Sequence, residues 1–321
     1  MIFSKQLEGL YRSNLFVRYD GNECAYYFSA KDFPNLQAKS YHFANQNGER
    51  LQGYFYCYPN PIPNRIVVFD HGIGGGHRSY MKEIEMLAHH GYLVFAYDHT
   101  GCMESEGAFA GGLTQSLPDL DACISTLKAD KNYQGYTLSV IGHSWGGYAC
   151  LNIAAYHPDL AHIVAISGFI SVKQMHRQLF RGVQALLRKS FFAIEKSAHP
   201  NYAETDAVSA LSKTNARILI IHSDDDDTVH CKYHFSFLEK ALHKQKNIQF
   251  LKIYGKAHNP HYTSDAIQYK KDYYLLLQKK TKRKELVSKE QKEAFIASID
   301  WNRMTVQDEK IWKEIFEVLN K

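Results

Sequence analysis

A serine between two glycines is the first feature of this sequence that could do chemistry. Gly142-His143-Ser144-Trp145-Gly146 follows the apolar run Leu138–Ile141 and precedes a segment that permits a helix. Gly-x-Ser-x-Gly between a strand and a helix is typical of a nucleophilic serine held exposed on a strained turn. The glycines allow backbones to pass closely there, and the amides that begin the helix face the charge that develops on a bound carbonyl. The alternative is a structural turn between a core strand and a core helix.

The motif and its surroundings resemble the α/β-hydrolase superfamily, in particular its serine esterases, lipases and acyl-peptidases. The resemblance covers roughly residues 35–260 and the last helix. It implies an α/β fold with a mostly parallel central sheet flanked by helices, and Ser144 as the nucleophile.

A serine hydroxyl needs a general base, and the family supplies a histidine after the last strand. His258 fits that place, because Gly255-Lys-Ala-His258 follows an apolar run and precedes the loop signal Asn259-Pro260. The chain has 17 histidines, so a histidine can be assigned as the base only by its place after the last strand. His261 is the nearest rival, whereas His222, His230 and His234 precede the final strand.

The base needs an acid, and four candidates adjoin one another at Asp224–Asp227. The family pattern Gly-x-x-Asp-x-x-Val, aligned on Val229, selects Asp226 and places Ser223 where glycine is usual. Asp225 is the alternative acid. An acidic run could also hold a cation, but it is more typical of a solvated turn, and we expect no metal.

The donors of an oxyanion hole are the remaining requirement. The resemblance implies the backbone N–H groups of Trp145 and of Ile73, which follows His71-Gly72. The glycines at 74–76 are not followed by Gly-Lys-Ser/Thr, so a phosphate-binding loop is not supported. We expect His71 and His77 to shape this loop, and residues 97–107 to form a structural loop near the site.

Short apolar runs alternate with helical patterns along the chain. They predict a parallel sheet covered on both faces, with the site at the carboxyl ends of its strands. A lead helix followed by a strand is expected before residue 36, and a hairpin around Asn45–Gly48. The predicted strands are 36–44, 51–58, 65–70, 92–97, 136–141, 163–167, 217–221 and 248–254. The predicted helices are 81–90, 116–131, 265–278, 288–299 and 305–319, the last capped by Thr305 or Asp308.

Residues 172–212 interrupt this alternation. The segment is longer than a usual crossover, and its apolar residues recur at helical spacing. By resemblance it is a helical cap over the site, inserted into a core domain of residues 1–171 and 213–321. In that case Leu187 and Phe191 would line an acyl pocket; the alternative is a helix at the sheet edge.

Composition limits the function classes. The net charge of +5 over 321 residues is too small to indicate nucleic-acid binding, and the basic run Lys279–Lys284 is typical of a solvated segment. The six cysteines form no Cys-x-x-Cys pair, and neither a signal peptide nor a membrane-spanning run is visible. We therefore expect a cytoplasmic protein.

The resulting hypothesis is a serine hydrolase that cleaves carboxylic esters through an acyl-enzyme, without an organic cofactor. Its partner would be a small-molecule ester or acyl substrate. The sequence does not decide between a monomer and a homodimer. The alternatives are an acyl-peptidase or aminopeptidase, a lysophospholipase, or a non-catalytic binding protein with this fold.

Overall fold

The computed structural model describes the backbone of residues 2–321 and the side chains from Gln6 onward; Met1 lies outside the described residues. Eight strands form one sheet in the order β1-β2-β4-β3-β5-β6-β7-β8. The strands are β1 Gln37–Ala44, β2 Arg50–Cys57, β3 Arg65–Asp70, β4 Leu93–Tyr97, β5 Thr137–His143, β6 His162–Ile166, β7 Arg217–Ser223 and β8 Ile248–Ile253. Strand β2 runs antiparallel to both of its neighbours, and β3 to β8 are parallel. The predicted mostly parallel sheet is thereby confirmed.

The central strands are buried because helices cover both faces of the sheet. In β3 the residues Ile66–Phe69 are at most 1% exposed, as expected for a continuous apolar run in a parallel sheet. Strand β5 lies between β3 and β6, so its carboxyl end lies near the middle of the sheet, at the edge formed by the strand ends. That edge is where the predicted nucleophile, Ser144, follows the strand.

The helices are α1 Ile2–Leu15, α2 Met81–His89, α3 Ser116–Ala129, α4 Trp145–Asn152, α5 Val172–Leu179, α6 Arg188–Ala198, α7 Ala207–Leu211, α8 Phe235–Leu242, α9 Ser264–Lys282, α10 Lys289–Ala297, α11 Trp301–Met304 and α12 Glu309–Leu319. The predicted lead helix is α1. The strand expected after it does not form; the only pairing described there is a single bridge between Tyr19 and Cys102. The last helix starts later than predicted, because Asp308 caps it by accepting a hydrogen bond from the Lys310 amide. Thr305 instead donates to the carbonyl of Trp301, at the end of α11.

The segment 172–212 contains α5, a 3-10 helix at Gly182–Leu187, α6 and α7. It packs against the N-terminal helix: the Phe191 ring stacks on Tyr11 with a centroid distance of 4.7 Å, in a small core separate from the sheet. Glu195 anchors α6 from within, since its carboxylate accepts hydrogen bonds from the amides of Leu113 and Thr114 and from the Tyr11 hydroxyl.

Among the described residues, no helix combines the length and the apolar character needed to cross a bilayer.

Candidate active site

Ser144 occupies the turn that joins β5 to α4. Its backbone has φ 58° and ψ −109°, a left-handed conformation that a non-glycine residue adopts only where its surroundings enforce it. The flanking glycines make this turn possible. A Cβ on Gly142 would lie 2.5 Å from the backbone of Gly146, and one on Gly146 would lie 2.1 Å from the Asp70 carbonyl oxygen. The predicted strained serine between a strand and a helix is what the structure contains.

Asp226 and His258 contact each other directly. The His258 Nδ1 atom lies 2.8 Å and 3.0 Å from the two Asp226 carboxylate oxygens, which leaves Nε2 free to accept a proton. Asp226 is therefore the carboxylate that meets His258, and Asp225 is not. Burial alone would raise the pKa of Asp226, but hydrogen bonds from His222 and His258 hold it well below its usual range. No hydrogen bond joins Ser144 Oγ to His258 in the described part of the chain; such bonds often tighten only when substrate binds.

The rest of the acidic turn holds the loop that carries His258. Asp224 accepts a hydrogen bond from the Gly255 amide, and Asp225 accepts one from the Ala257 amide. Ser223 has a role that glycine could not fill: its hydroxyl accepts from the Lys256 amide and donates to Asp225. These oxygens thus bind backbone amides. No group of three or more His, Cys, Asp or Glu side chains that could hold a metal occurs among the described residues.

The amides of Ile73 and Trp145 make no hydrogen bond within residues 2–321, so both donors are available to a ligand. Trp145 begins α4, where the first amides of a helix lack partners. The orientation of the other amide follows from His71. The His71 Nε2 atom accepts a hydrogen bond from the His99 amide at 3.0 Å. The His71 Nδ1 atom therefore carries the proton and donates to the Gly72 carbonyl at 2.8 Å. Because that carbonyl and the Ile73 N–H share one peptide plane, His71 fixes the direction of the donor.

A chain of hydrogen bonds joins this loop to the serine turn and to the His258 loop. His143 Nε2 lies 2.8 Å from the His258 carbonyl, which can only accept, so Nε2 carries the proton. Its Nδ1 then accepts from the Tyr80 hydroxyl at 2.9 Å. The Tyr80 oxygen in turn accepts from the Gly72 amide at 3.2 Å. One tyrosine and one histidine therefore connect the three loops that the sequence assigns to catalysis.

Burial keeps His143 neutral. It lowers the pKa of His143 well below its usual value, and the neighbouring His258, His261 and Lys270 lower it further. His261, the rival base, is itself 0% exposed, and its Nε2 lies 3.0 Å from the buried carboxylate of Glu83. His261 is thus engaged by Glu83, whereas the His258 side chain is 17% exposed.

Another buried histidine, His99, lies behind the serine turn. His99 Nε2 contacts Asp70, and its Nδ1 lies 3.3 Å from Asp119 without good hydrogen-bond geometry. Burial opposes the imidazolium, but the two carboxylates outweigh it and raise the pKa of His99 to about 9. The His99 ring also packs against Trp145 at a centroid distance of 4.8 Å. This cluster supports the turn and does not face solvent.

His77 shapes the neighbouring loop, as expected. Its backbone amide and its Nδ1 both lie 2.8 Å from the Asp98 carboxylate, and its Nε2 lies 3.0 Å from the Tyr56 hydroxyl. Tyr80, His143 and Glu83 were not singled out from the sequence, because their partners are distant along the chain. The only available signal was the position of His143 beside the serine.

Comparison with known proteins agrees with this architecture. A family model described as "Serine aminopeptidase, S33" matches residues 61–210. The esterase Pf2001 of Pyrococcus furiosus superposes with a TM-score of 0.58 at 16% identity, covering 84% of this chain and 97% of that one. The chain has the α/β-hydrolase fold.

The sequence relatives of this α/β-hydrolase are distant. Human monoglyceride lipase is 29% identical over 135 residues, which are 40% of this chain and 43% of the lipase. The uncharacterized protein YqkD of Bacillus subtilis is 23% identical over 249 residues, 75% of this chain and 79% of that protein. This α/β-hydrolase spans about half the length of the first curated relatives it matches.

Proposed function

We propose that this α/β-hydrolase cleaves carboxylic esters through an acyl-enzyme formed on Ser144, with His258 as general base and Asp226 as its acid. The observation that carries the proposal is the left-handed backbone of Ser144 at the start of α4. Strain of this kind persists where function requires it, and here it presents a hydroxyl beside helix amides. The contact between His258 and Asp226 supports the same assignment.

The geometry supports a specific sequence of proton transfers. Asp226 holds the Nδ1–H tautomer of His258, so Nε2 takes the proton of Ser144 while its oxygen attacks the substrate carbonyl. The amides of Ile73 and Trp145 donate to the oxyanion that forms. His258 then gives the proton to the leaving alcohol. Water, activated by the same histidine, finally attacks the acyl-enzyme and releases the acid.

We propose residues 172–212 as the helical cap of this site. Support comes from hydrogen bonds between α5 and the loop after Asp226: Gln178 donates to the Thr228 carbonyl and accepts from the His230 amide. The cap would restrict which acyl groups reach Ser144, but Phe191 would not line the acyl pocket as the sequence suggests, because its ring is buried against Tyr11. We further propose that the protein acts in the cytoplasm on small ester substrates.

Amide hydrolysis on the same residues is the second candidate, because the matching family model describes serine aminopeptidases. A panel of p-nitrophenyl esters, lysophospholipids and aminoacyl p-nitroanilides separates these activities. We expect the highest kcat/KM on the esters, and loss of that turnover in Ser144→Ala. Preference for aminoacyl amides would replace the esterase assignment. The absence of any turnover that depends on Ser144 would favour a binding protein.

The pairing of Ser144 with His258 is tested on the best substrate of that panel. Either Ser144→Ala or His258→Ala should lower kcat by about four to six orders of magnitude, and the double variant by little more, because such residues act as a unit. Losses that simply add would contradict the pairing.

A further inference from the structure

Two aliphatic side chains stand almost entirely in solvent on the 3-10 helix Gly182–Leu187. Val183 is 85% exposed and Leu186 is 82% exposed, more than any other large hydrophobic residue among those described. Residues three apart in a 3-10 helix lie on the same side, so the two form one apolar tip. Single exposed apolar residues are ordinary, but a pair at this exposure indicates a surface that is covered in use.

Basic residues flank this tip along the chain. Residues 172–198 contain six basic side chains and one acidic one, Glu195. Glu195 is fully buried and binds the interior, so it does not offset the surface charge. Lys173 and Lys196 pair with Glu204, which leaves the exposed Arg177, Arg181 and Lys189 without a carboxylate partner among the described residues.

We propose that this tip docks on an anionic phospholipid surface, with Val183 and Leu186 in the acyl boundary and the basic side chains among the headgroups. Apolar residues that protrude beside unpaired cations suit a fluid, negatively charged interface. A protein partner would instead favour large aromatic anchors in a complementary pocket, and the tip has neither. The observations therefore select a lipid surface over an acidic protein.

Helix α5, which precedes this tip along the chain, contacts the loop that follows Asp226. Gln178 of α5 hydrogen-bonds to the backbone of Thr228 and His230, and Gln174 donates to the Tyr233 carbonyl. Vesicle binding is measured without turnover, so it does not depend on whether Ser144 is catalytic.

The test is sedimentation of the full chain with vesicles of phosphatidylcholine, alone or mixed with phosphatidylserine. The wild type should bind the mixed vesicles, and added salt should weaken binding. Each of Arg181→Gln and Lys189→Gln should weaken it about fivefold, the equivalent of about 1 kcal/mol per basic residue near the surface. Val183→Ser and Leu186→Ser should each weaken binding about tenfold, since each removes an aliphatic side chain that would be buried in the lipid.

Matched controls come from the C-terminal helices. Val287 is 70% exposed, and Lys279 belongs to the other basic run of the chain. Val287→Ser and Lys279→Gln should leave binding unchanged, and all six variants should keep the melting temperature because the altered side chains are exposed. No binding by the wild type, or equal losses in the controls, would overturn the proposal. Self-association through the tip in the absence of lipid would also overturn it. So would binding to polyglutamate that is as strong as binding to the mixed vesicles and is unchanged by Val183→Ser and Leu186→Ser.

Discussion

Replacing Tyr80 by phenylalanine removes the hydroxyl that joins three loops of the site. In the native chain that hydroxyl donates to His143 Nδ1 and accepts from the Gly72 amide. Burial raises the pKa of Tyr80, so the hydroxyl keeps its proton across the working range of pH. The ring of phenylalanine fits the same space, so the substitution tests the hydrogen bonds and not the packing.

The size of the effect follows from what is left unpaired. Both Gly72 and His143 lose a partner, and an unsatisfied buried polar group costs about 1–3 kcal/mol. Since Tyr80 is partly exposed, water can replace some of this, and we expect a stability loss of about 1–3 kcal/mol in total. The loop that carries the Ile73 amide also loosens. Removing an entire oxyanion donor lowers kcat by about 10²–10³, so a loosened one should lower kcat roughly tenfold.

The assay measures kcat and KM on a soluble p-nitrophenyl ester, with urea unfolding of the same samples. Tyr58→Phe is the matched control, because its hydroxyl makes a partly buried hydrogen bond to Glu85 of α2, outside the three loops. We expect Tyr80→Phe to lower kcat without changing KM. We expect Tyr58→Phe to change neither. A stability loss with unchanged kcat would show that the hydroxyl supports only the fold and would refute the positioning role.

Two further predictions concern stability. Burial lowers the pKa of His71 from 6.5 to about 3, so between these values unfolding takes up a proton. The free energy of unfolding should therefore decrease as the pH falls from 6.5 towards 3. The pKa of His99 is raised from 6.5 to about 9, so its contribution is complete below 6.5 and lost as pH rises through 9. The urea midpoint should therefore be highest near pH 6.5, and His99→Gln should flatten its alkaline decline; an unaltered decline would contradict the assignment. Phe191→Ala should lower stability by about 3–5 kcal/mol without altering acyl-chain preference, because the ring packs on Tyr11. A changed chain-length profile at unchanged stability would instead place Phe191 in the acyl pocket.

The order of elements could be predicted from the sequence because local patterns determine it. The run Arg65–Asp70 is apolar and bounded by turn residues, and the structure has a strand over the same residues. The helix predicted at 81–90 ends at His89, two residues before Gly91, which adopts φ 90°. Local pattern failed where polar and aromatic residues mix, as in residues 16–36, which form a bridge at Tyr19 and no strand.

The finer parts of the site depend on contacts between distant residues, and no local pattern reports these. Tyr80 and His143 are 63 residues apart, and Glu83 and His261 are 178 apart. Ser223 looked like a departure from a family pattern, yet its hydroxyl holds the Lys256 amide 33 residues away. Sequence could identify the types of residue that act, whereas the fold decides which of them meet.

The central claim is that Ser144 is the nucleophile, and covalent labelling tests it most directly. A fluorophosphonate probe reacts with an activated serine, and mass spectrometry of the digested protein locates the adduct. The account predicts one adduct, on Ser144, that disappears in Ser144→Ala and is strongly slowed in His258→Ala. An unlabelled wild-type protein, or an adduct on another residue that persists in Ser144→Ala, would contradict it.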